Sequence, residues 1–187
     1  MFAITCLALL CAANPEGKSV PLDEETKAKL QMIAFDAARE GDLKTLKEYF
    51  RVGMPAEIIT PRGDSLLTLA AYHGHAEAVE LIAAQPGVDV SRRNKMGFDP
   101  LTGAAYKGHV DVAKTLLKLK ANVNSANGAG QTPLMFTAVF GKTEVAQLLL
   151  DAGAKLDTKN KEGDTALSLA QKQQNEAMIR LLEKAKK

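Results

Sequence analysis

Hydrophobic and polar positions repeat along this chain with a period of about 33 residues. Four segments share a leading glycine, a polar residue two positions later, and an apolar stripe that opens two positions after that. The leading glycines, spaced by 34, 33 and 33 residues, are Gly63, Gly97, Gly130 and Gly163. Because this spacing is nearly constant, we expect the four segments to form the same local structure.

Each segment carries the signals of a short helix. The side-chain oxygen of its polar residue can accept from an unpaired N–H at a helix start. These polar residues are Ser65, Asp99, Thr132 and Thr165. Pro100 and Pro133 follow directly, at the first helical position, where a missing N–H costs nothing. Three of the helices are predicted to end at a left-handed glycine. These glycines are Gly74, Gly108 and Gly141.

A second stripe with leucines at helical spacing follows each of these helices. It predicts further helices over residues 77–84, 111–119, 144–151 and 176–184. Lys120 takes the position that Gly153 has in the next copy, which predicts a strained helix end at that lysine. A unit of this size cannot bury its own apolar face, so we expect the units to stack and share one core.

Both ends of the repeated region depart from the pattern. Residues 22–39 form a charged helical pattern, and residues 41–50 restart the stripe without the usual opening, as a degenerate first unit. At the other end, Lys172, Gln173 and Gln174 replace apolar and glycine positions. Because a terminal unit faces solvent on one side, these polar ends are expected to cap the stack.

The four segments resemble ankyrin repeats, in which a turn and two helices recur about every 33 residues. The resemblance is carried by GDSLLTLAAYHG, GFDPLTGAAYKG, GQTPLMFTAVFG and GDTALSLAQKQQ, which begin at the leading glycines. It implies an all-α ankyrin-repeat solenoid of about five helix-turn-helix units with turn or β-hairpin tips. The expected domains are a signal peptide at 1–13, a linker at 14–22, N-terminal capping helices with a degenerate repeat at 23–60, ankyrin repeats at 61–92, 93–126 and 127–159, and a C-terminal capping repeat at 160–187.

Two shorter phrases, AAYHGH at 70–75 and NEAM at 175–178, go beyond the general repeat pattern. They are similar to small exported bacterial ankyrin-repeat proteins, some of which are associated with periplasmic catalase. This similarity implies a periplasmic or secreted protein-binding scaffold that supports oxidative-stress defence, and it makes a catalase one candidate partner. The alternative is a cytoplasmic interaction module or an effector directed into a host cell.

Residues 2–13 are uncharged and predict an export signal, because a turn-prone stretch follows them at 14–17. Only the amino group of Met1 supplies positive charge ahead of them, so a tethered apolar helix is the alternative. The segment is shorter than the roughly 20 residues that a membrane span needs, and the mature domain is expected to contact no membrane. Cys6 and Cys11 both lie inside it, so its removal would leave no disulfide or thiol nucleophile.

No catalytic or cofactor motif is found in the sequence. A net charge of +2 is too small to indicate a nucleic-acid partner. His73 and His75 lack a third ligand placed by the repeat, so no metal site is expected. The glycines recur with the repeat instead of clustering before one helix, which excludes a phosphate loop. We therefore expect a non-enzymatic protein without cofactors.

The resemblance also implies where a partner binds. In ankyrin proteins the turn tips and the exposed face of the first helices line a concave groove. Carried over by register, the protein-binding residues are Arg62, Asp64, Tyr72, His73, Arg93, Lys95, Met96, Phe98, Tyr106, Lys107, Gln131, Phe140, Lys161 and Asp164. The partner is expected to be another protein, and the chain itself to be a monomer.

The side chains at these positions favour binding. Exposed aromatic residues beside arginine are typical of binding hot spots. Met96 and Phe98 are expected to lie at a tip with no local core to fill. The alternative is that Tyr72, Tyr106 and Phe140 pack laterally on the next repeat instead of facing a partner.

Overall fold

The computed structural model describes residues 23–186, which form ten α-helices in five consecutive pairs. The first helices of the pairs are α1 (Glu24–Glu40), α3 (Leu66–His73), α5 (Pro100–Lys107), α7 (Pro133–Phe140) and α9 (Ala166–Lys172). The second helices are α2 (Leu43–Arg51), α4 (Ala76–Ala83), α6 (Val110–Lys118), α8 (Thr143–Asp151) and α10 (Glu176–Ala185). The predicted signal peptide and linker, with Cys6 and Cys11, lie outside the described residues.

The predicted starts and ends of the first helices are confirmed. Ser65 Oγ accepts from the backbone N–H of Thr68 at 3.1 Å, and Asp99 Oδ1 accepts from that of Thr102 at 2.7 Å. Thr132 and Thr165 cap α7 and α9 in the same way. Left-handed glycines end the middle three of these helices, as predicted, and they are Gly74, Gly108 and Gly141.

The second helices of three repeats begin one residue earlier than predicted. They start at Ala76, Val110 and Thr143, directly after an N-cap residue whose side chain makes no capping hydrogen bond. Because those starts carry no capping signal, the sequence pattern placed them late. The last unit differs, since Asn175 Oδ1 accepts from the Met178 N–H at 3.0 Å and α10 begins at Glu176 as predicted.

The helices stack in two layers, and one core runs between them. Each first helix packs on the first helix of the next pair, and the second helices stack likewise. The alanine pairs of the first helices are fully buried and keep that layer thin. They are Ala70, Ala71, Ala104 and Ala105. This arrangement confirms the all-α solenoid of five helix-turn-helix units, whose stability comes mainly from contacts between neighbours.

The tips between the pairs are tight turns. In each tip a backbone N–H donates to the carbonyl four residues on, as Asn94 does to Phe98 at 2.9 Å. Neighbouring tips also bond to each other, since the Lys95 N–H donates to the Arg62 carbonyl at 3.0 Å. Within residues 23–186 the only β-pairing is an isolated bridge between Ile59 and Ser65, so the tips are turns without strands.

Each glycine that ends a first helix is covered by a side chain of the next repeat. A Cβ atom added to Gly74 would lie 2.8 Å from the ring of His109, and one added to Gly41 would lie 2.5 Å from that of His75. The same position is taken by Lys142 over Gly108 and by Asn175 over Gly141. The glycines therefore serve the junction between repeats as well as the turn itself.

Two residues other than glycine adopt a left-handed backbone among those described. Lys120 has φ 62°, which confirms the strained end predicted from its alignment with Gly153. Gln174 has φ 55° at the end of the last first helix, where the earlier repeats have glycine. Each costs backbone energy that glycine would not. None of the helices described here is long and apolar enough for a membrane crossing.

Candidate functional site

A groove of about 500 Å³ opens between the first helices and the tips of the N-terminal repeats. Half of the predicted site residues line it, and they are Arg62, Asp64, Tyr72, His73, Met96, Phe98 and Tyr106. The other predicted residues do not line this groove, and they are Arg93, Lys95, Lys107, Gln131, Phe140, Lys161 and Asp164. Helix α3 supplies four of the residues that line the groove, and α5 supplies Tyr106.

Three aromatic rings from successive first helices form a row, which we call the aromatic row: Tyr72, Tyr106 and Phe140. Tyr72 and Tyr106 stack with ring centroids 5.9 Å apart and planes inclined by 17°. Phe140 meets Tyr106 edge to face at 4.5 Å. Such geometries are the favourable ones for aromatic pairs. Gly103 lies beneath the first ring, where the position of a Cβ atom is 3.7 Å from Tyr72 Cβ.

The rings of the aromatic row are packed together and are also partly open to solvent. Tyr72 and Tyr106 are half-buried, and Phe140 is 43% exposed. Lateral packing and a solvent-facing surface were alternatives in the sequence, and the structure contains both. The row is held in place before any partner arrives, which lowers the entropy that binding must overcome.

Phe98 differs from its prediction. It was expected at a tip without local core, but its ring lies 5.0 Å from Phe136 and 5.9 Å from Tyr106, and it is half-buried. Its neighbours come from the following two first helices, which local sequence does not reveal. Met96 at the same tip is 66% exposed and borders the groove.

The basic side chains around the groove are mostly open. Arg62 lines the groove and is exposed. Lys107 Nζ lies 4.9 Å from the centroid of Tyr72, over the ring face, where a cation is attracted by the π-system. The pKa of His73 is lowered, first by partial burial and then by electrostatic interaction with the neighbouring side chains of His75, Arg39, Lys107 and His109.

The two predicted acidic site residues are engaged within the protein. Asp64 Oδ1 accepts from Asn94 Nδ2 at 2.6 Å, which joins two tips. Asp164 Oδ2 accepts from Lys172 Nζ at 2.6 Å, and its other oxygen accepts from Ser168 at 2.9 Å. These hydrogen bonds, from Lys172 first, lower the pKa of Asp164. Both carboxylates therefore support local structure.

The remaining predicted residues lie along the tips. Gln131 Oε1 accepts from Asn127 Nδ2 at 2.9 Å and so stabilises its own turn. Arg93, Lys95 and Lys161 are exposed. In the region of the chain that the structure covers, no three His, Cys, Asp or Glu side chains converge as metal ligands.

Sequence analysis missed several groove residues, of which Arg39, Leu69 and Asn94 are the most informative. Arg39 belongs to the degenerate first unit. When Gly41 is aligned with Gly74, Arg39 takes the position in its unit that Tyr72 has in the next. Asn94 shapes its tip, because its Oδ1 accepts from the backbone N–H of Met96 at 3.0 Å and of Phe98 at 2.9 Å. An asparagine three residues before a leading glycine is the signal that identifies this turn.

Two histidines connect the repeats beneath the groove. His75 Nε2 donates to the Arg39 carbonyl at 2.8 Å, and His109 Nε2 donates to the Tyr72 carbonyl at 3.1 Å. Each bond fixes the backbone of a groove residue to the repeat that follows it. The groove is thus built by contacts between units.

Comparisons with known proteins agree with this architecture. A family model for ankyrin repeats, in three copies, matches residues 34–127 and 119–187. An ankyrin repeat protein of Pseudomonas aeruginosa is 43% identical over 60 residues, which are 32% of this chain and 34% of that protein. Protein phosphatase 1 regulatory subunit 27 of Mus musculus is 30% identical over 106 residues, which are 56% of this chain and 68% of the mouse protein.

A third relative is alpha-latrocrustotoxin-Lt1a of Latrodectus tredecimguttatus, 42% identical over 64 residues, which are 34% of this chain. The matched region spans only 34% of the Pseudomonas protein and 4% of the toxin, so these similarities concern repeats and not whole proteins. The family model covers most of the chain, and the fold is the one that its repeats require. The chain therefore belongs to the ankyrin repeat family, whose repeats form protein-interaction modules.

Proposed function

We propose that this chain is a non-enzymatic, monomeric scaffold that binds another protein in the groove between the first helices and the tips. The observation that carries the proposal is a preformed groove with the aromatic row beside it, where large apolar side chains are open to solvent: Met96 at the groove is 66% exposed, and Phe140 at the end of the row is 43% exposed. Clustered exposed apolar groups of this kind mark interaction sites. The similarity to a regulatory subunit of protein phosphatase 1 supports a role exerted on another protein.

The test compares two exposed methionines. Met96→Ala removes an apolar contact at the groove, and Met32→Ala is the control, since Met32 is 58% exposed on α1 and does not line the groove. Neither truncation leaves a buried cavity, so each should change the free energy of unfolding by less than about 0.5 kcal/mol. The partner, isolated by affinity capture from the source organism, should bind Met96→Ala about tenfold more weakly.

Calorimetry on the full chain measures both dissociation constants. Unchanged affinity in Met96→Ala and in Phe140→Ala would overturn the groove and the adjoining aromatic row as the binding site. Equal losses in Met96→Ala and Met32→Ala would also contradict it, because the control lies elsewhere on the solenoid.

We further propose that the protein is exported, periplasmic or secreted, and supports oxidative-stress defence, with a catalase as one candidate partner. The uncharged residues 2–13 and the similarity to exported bacterial ankyrin proteins support this proposal. The alternative is a cytoplasmic module or a host-directed effector. Cell fractionation with N-terminal sequencing decides between them, since a cytosolic chain that still begins at Met1 would contradict export.

A further inference from the structure

We infer that the groove takes an acidic peptide segment of its partner, with Asp or Glu residues on both sides of one large apolar side chain. This inference rests on the proposed function and names the class of ligand for that same site. The apolar side chain would contact Tyr72, Tyr106 and Met96, and the carboxylates would meet the basic side chains at the groove edges.

Uncompensated positive charge at the groove is the first argument. Arg62 lines the groove, Lys95 lies on the adjoining tip, and Lys107 lies over the Tyr72 ring. Arg93 precedes that second tip and is exposed. None of these four side chains forms an ion pair with another described residue. They are therefore available to a negatively charged partner.

The acidic side chains of the region do not cancel this charge. Asp64 is the one acidic residue among the described residues that line the groove, where its Oδ1 accepts from Asn94 and its Oδ2 from Thr60. Its single negative charge stands against the four positive charges named above. Asp36 is paired with Arg39 at 2.6 Å. The lowered pKa of His73 agrees with this, since partial burial is its first cause and the charges of Arg39 and Lys107 are among the others.

The apolar floor defines the second half of the ligand. The stacked rings of Tyr72 and Tyr106 and the exposed side chain of Met96 present apolar surface. Arg62 lines the same groove, and Lys107 lies over the Tyr72 ring. A groove of about 500 Å³ lies within the usual range of ligand sites, about 300–1,000 Å³. Basic edges around an apolar centre match an apolar residue flanked by carboxylates.

The experiment selects ligands without assuming their sequence. The full chain is the bait for a displayed library of random short peptides, and the enriched peptides are synthesised with a fluorescent label. We expect them to combine several Asp or Glu residues with an aromatic residue, leucine or methionine. Polarisation then gives the dissociation constant of each peptide, and of the same peptide with its acids changed to Gln and Asn.

Two double charge reversals serve as matched variants. Arg62→Glu with Lys95→Glu reverses charge at the groove, and Lys44→Glu with Lys47→Glu makes the same change on the exposed face of α2. The groove variant should bind the acidic peptides about tenfold or more weakly, because a field that attracts them becomes one that repels them. The α2 variant should bind like the original chain. Circular dichroism verifies that both variants are folded.

The outcomes separate this inference from the proposed function. Enriched peptides that lack acids, or acidic peptides that bind equally well as amides, would overturn the acidic ligand. If such peptides still lose affinity with Met96→Ala, the groove remains the binding site. If their affinity is unchanged by both Met96→Ala and Phe140→Ala, both proposals are wrong. Failure to enrich any peptide above the bait-free control also counts against the inference, since the groove needs no rearrangement to bind.

Discussion

Among the four repeats that begin at the leading glycines, the second and the fourth place very different side chains at the same position of the first helix. In the second repeat this residue is Tyr106, whose ring contacts four others from Tyr72 to Phe140. In the fourth it is Lys172, whose Nζ donates to Asp164 at 2.6 Å within its own repeat. Both residues lie nine positions after a leading glycine, Tyr106 within its first helix and Lys172 at the last position of its own.

This contrast shows how a repeated backbone can carry one specialised surface. Tyr106 extends a contact from repeat to repeat, whereas Lys172 bonds back to its own tip and is followed by exposed Gln173 and Gln174. The aromatic row therefore ends at Phe140. The last repeat closes the stack against solvent, as a terminal unit must.

The largest expected effect breaks the junction between these two kinds of repeat. Gly141→Val should lower the free energy of unfolding by about 1–3 kcal/mol, because valine is strained at φ 66° and its Cβ would lie 2.8 Å from Asn175 Nδ2. Gly128→Ala is the control, since no heavy atom lies within 4 Å of the added methyl group. Urea denaturation gives both values, and equal midpoints would contradict this account of the junction.

Truncation of Tyr106 or Lys172, the two residues compared above, should have the next largest effect on the free energy of unfolding. Tyr106→Ala should cost about 1–2 kcal/mol, less than a fully buried ring, because Tyr106 is half-buried. Lys172→Ala should cost less than Tyr106→Ala, since the Lys172 side chain is exposed and its removal leaves no cavity. Thermal unfolding measures both. A Tyr106→Ala chain as stable as the original would show that the aromatic row contributes nothing to the fold.

A smaller effect of opposite sign is expected at the end of α9. Gln174→Gly should raise the free energy of unfolding by about 0.5–1 kcal/mol, because glycine accepts the left-handed backbone of Gln174. Gln173→Gly is the matched control and should destabilise, since Gln173 has a right-handed helical backbone. If both variants destabilise the chain, Gln174 does not have the positive φ described here.

The smallest expected effect is on the pKa of one carboxyl group, that of Asp164. Lys172→Ala should raise the pKa of Asp164 toward the ordinary value of about 3.9, because the hydrogen bond from Lys172 is the main cause of its low pKa. In the original chain, ionised Asp164 stabilises the fold above its unfolded pKa, and this contribution is lost as the pH falls through the lower folded value. The variant should lose most of this pH dependence. NMR titration of carboxyl carbons measures the pKa. The pKa of Asp42, lowered by Thr45, should not move.

Much of the fold could be predicted because its signals are local. A polar residue such as Ser65 before an apolar stripe, and a glycine such as Gly74 after it, determine where a first helix begins and ends. The second helices were placed less well where His75 and His109 supply no capping bond. The pattern of the chain thus revealed the units and their number.

The groove was harder to predict because its contacts join separate repeats. Phe98 looked unsupported at its tip, yet Phe136 from the next unit packs against it. Arg39 escaped notice because its unit lacks the usual opening, although it lines the groove with Tyr72. Register predicts which positions face the same way. It does not predict which side chains contact the neighbouring repeat.

The side chains that cover the helix-ending glycines determine how the array can grow. Each glycine belongs to one unit and its cover to the next, as with Gly74 and His109. A tandem duplication of the second repeat would place His109 of the new copy over Gly108, which has nearly the same backbone as Gly74. The chain could therefore lengthen by whole units with each new junction already matched. A unit recombined from another protein would need its own residue that fits against the glycine before it.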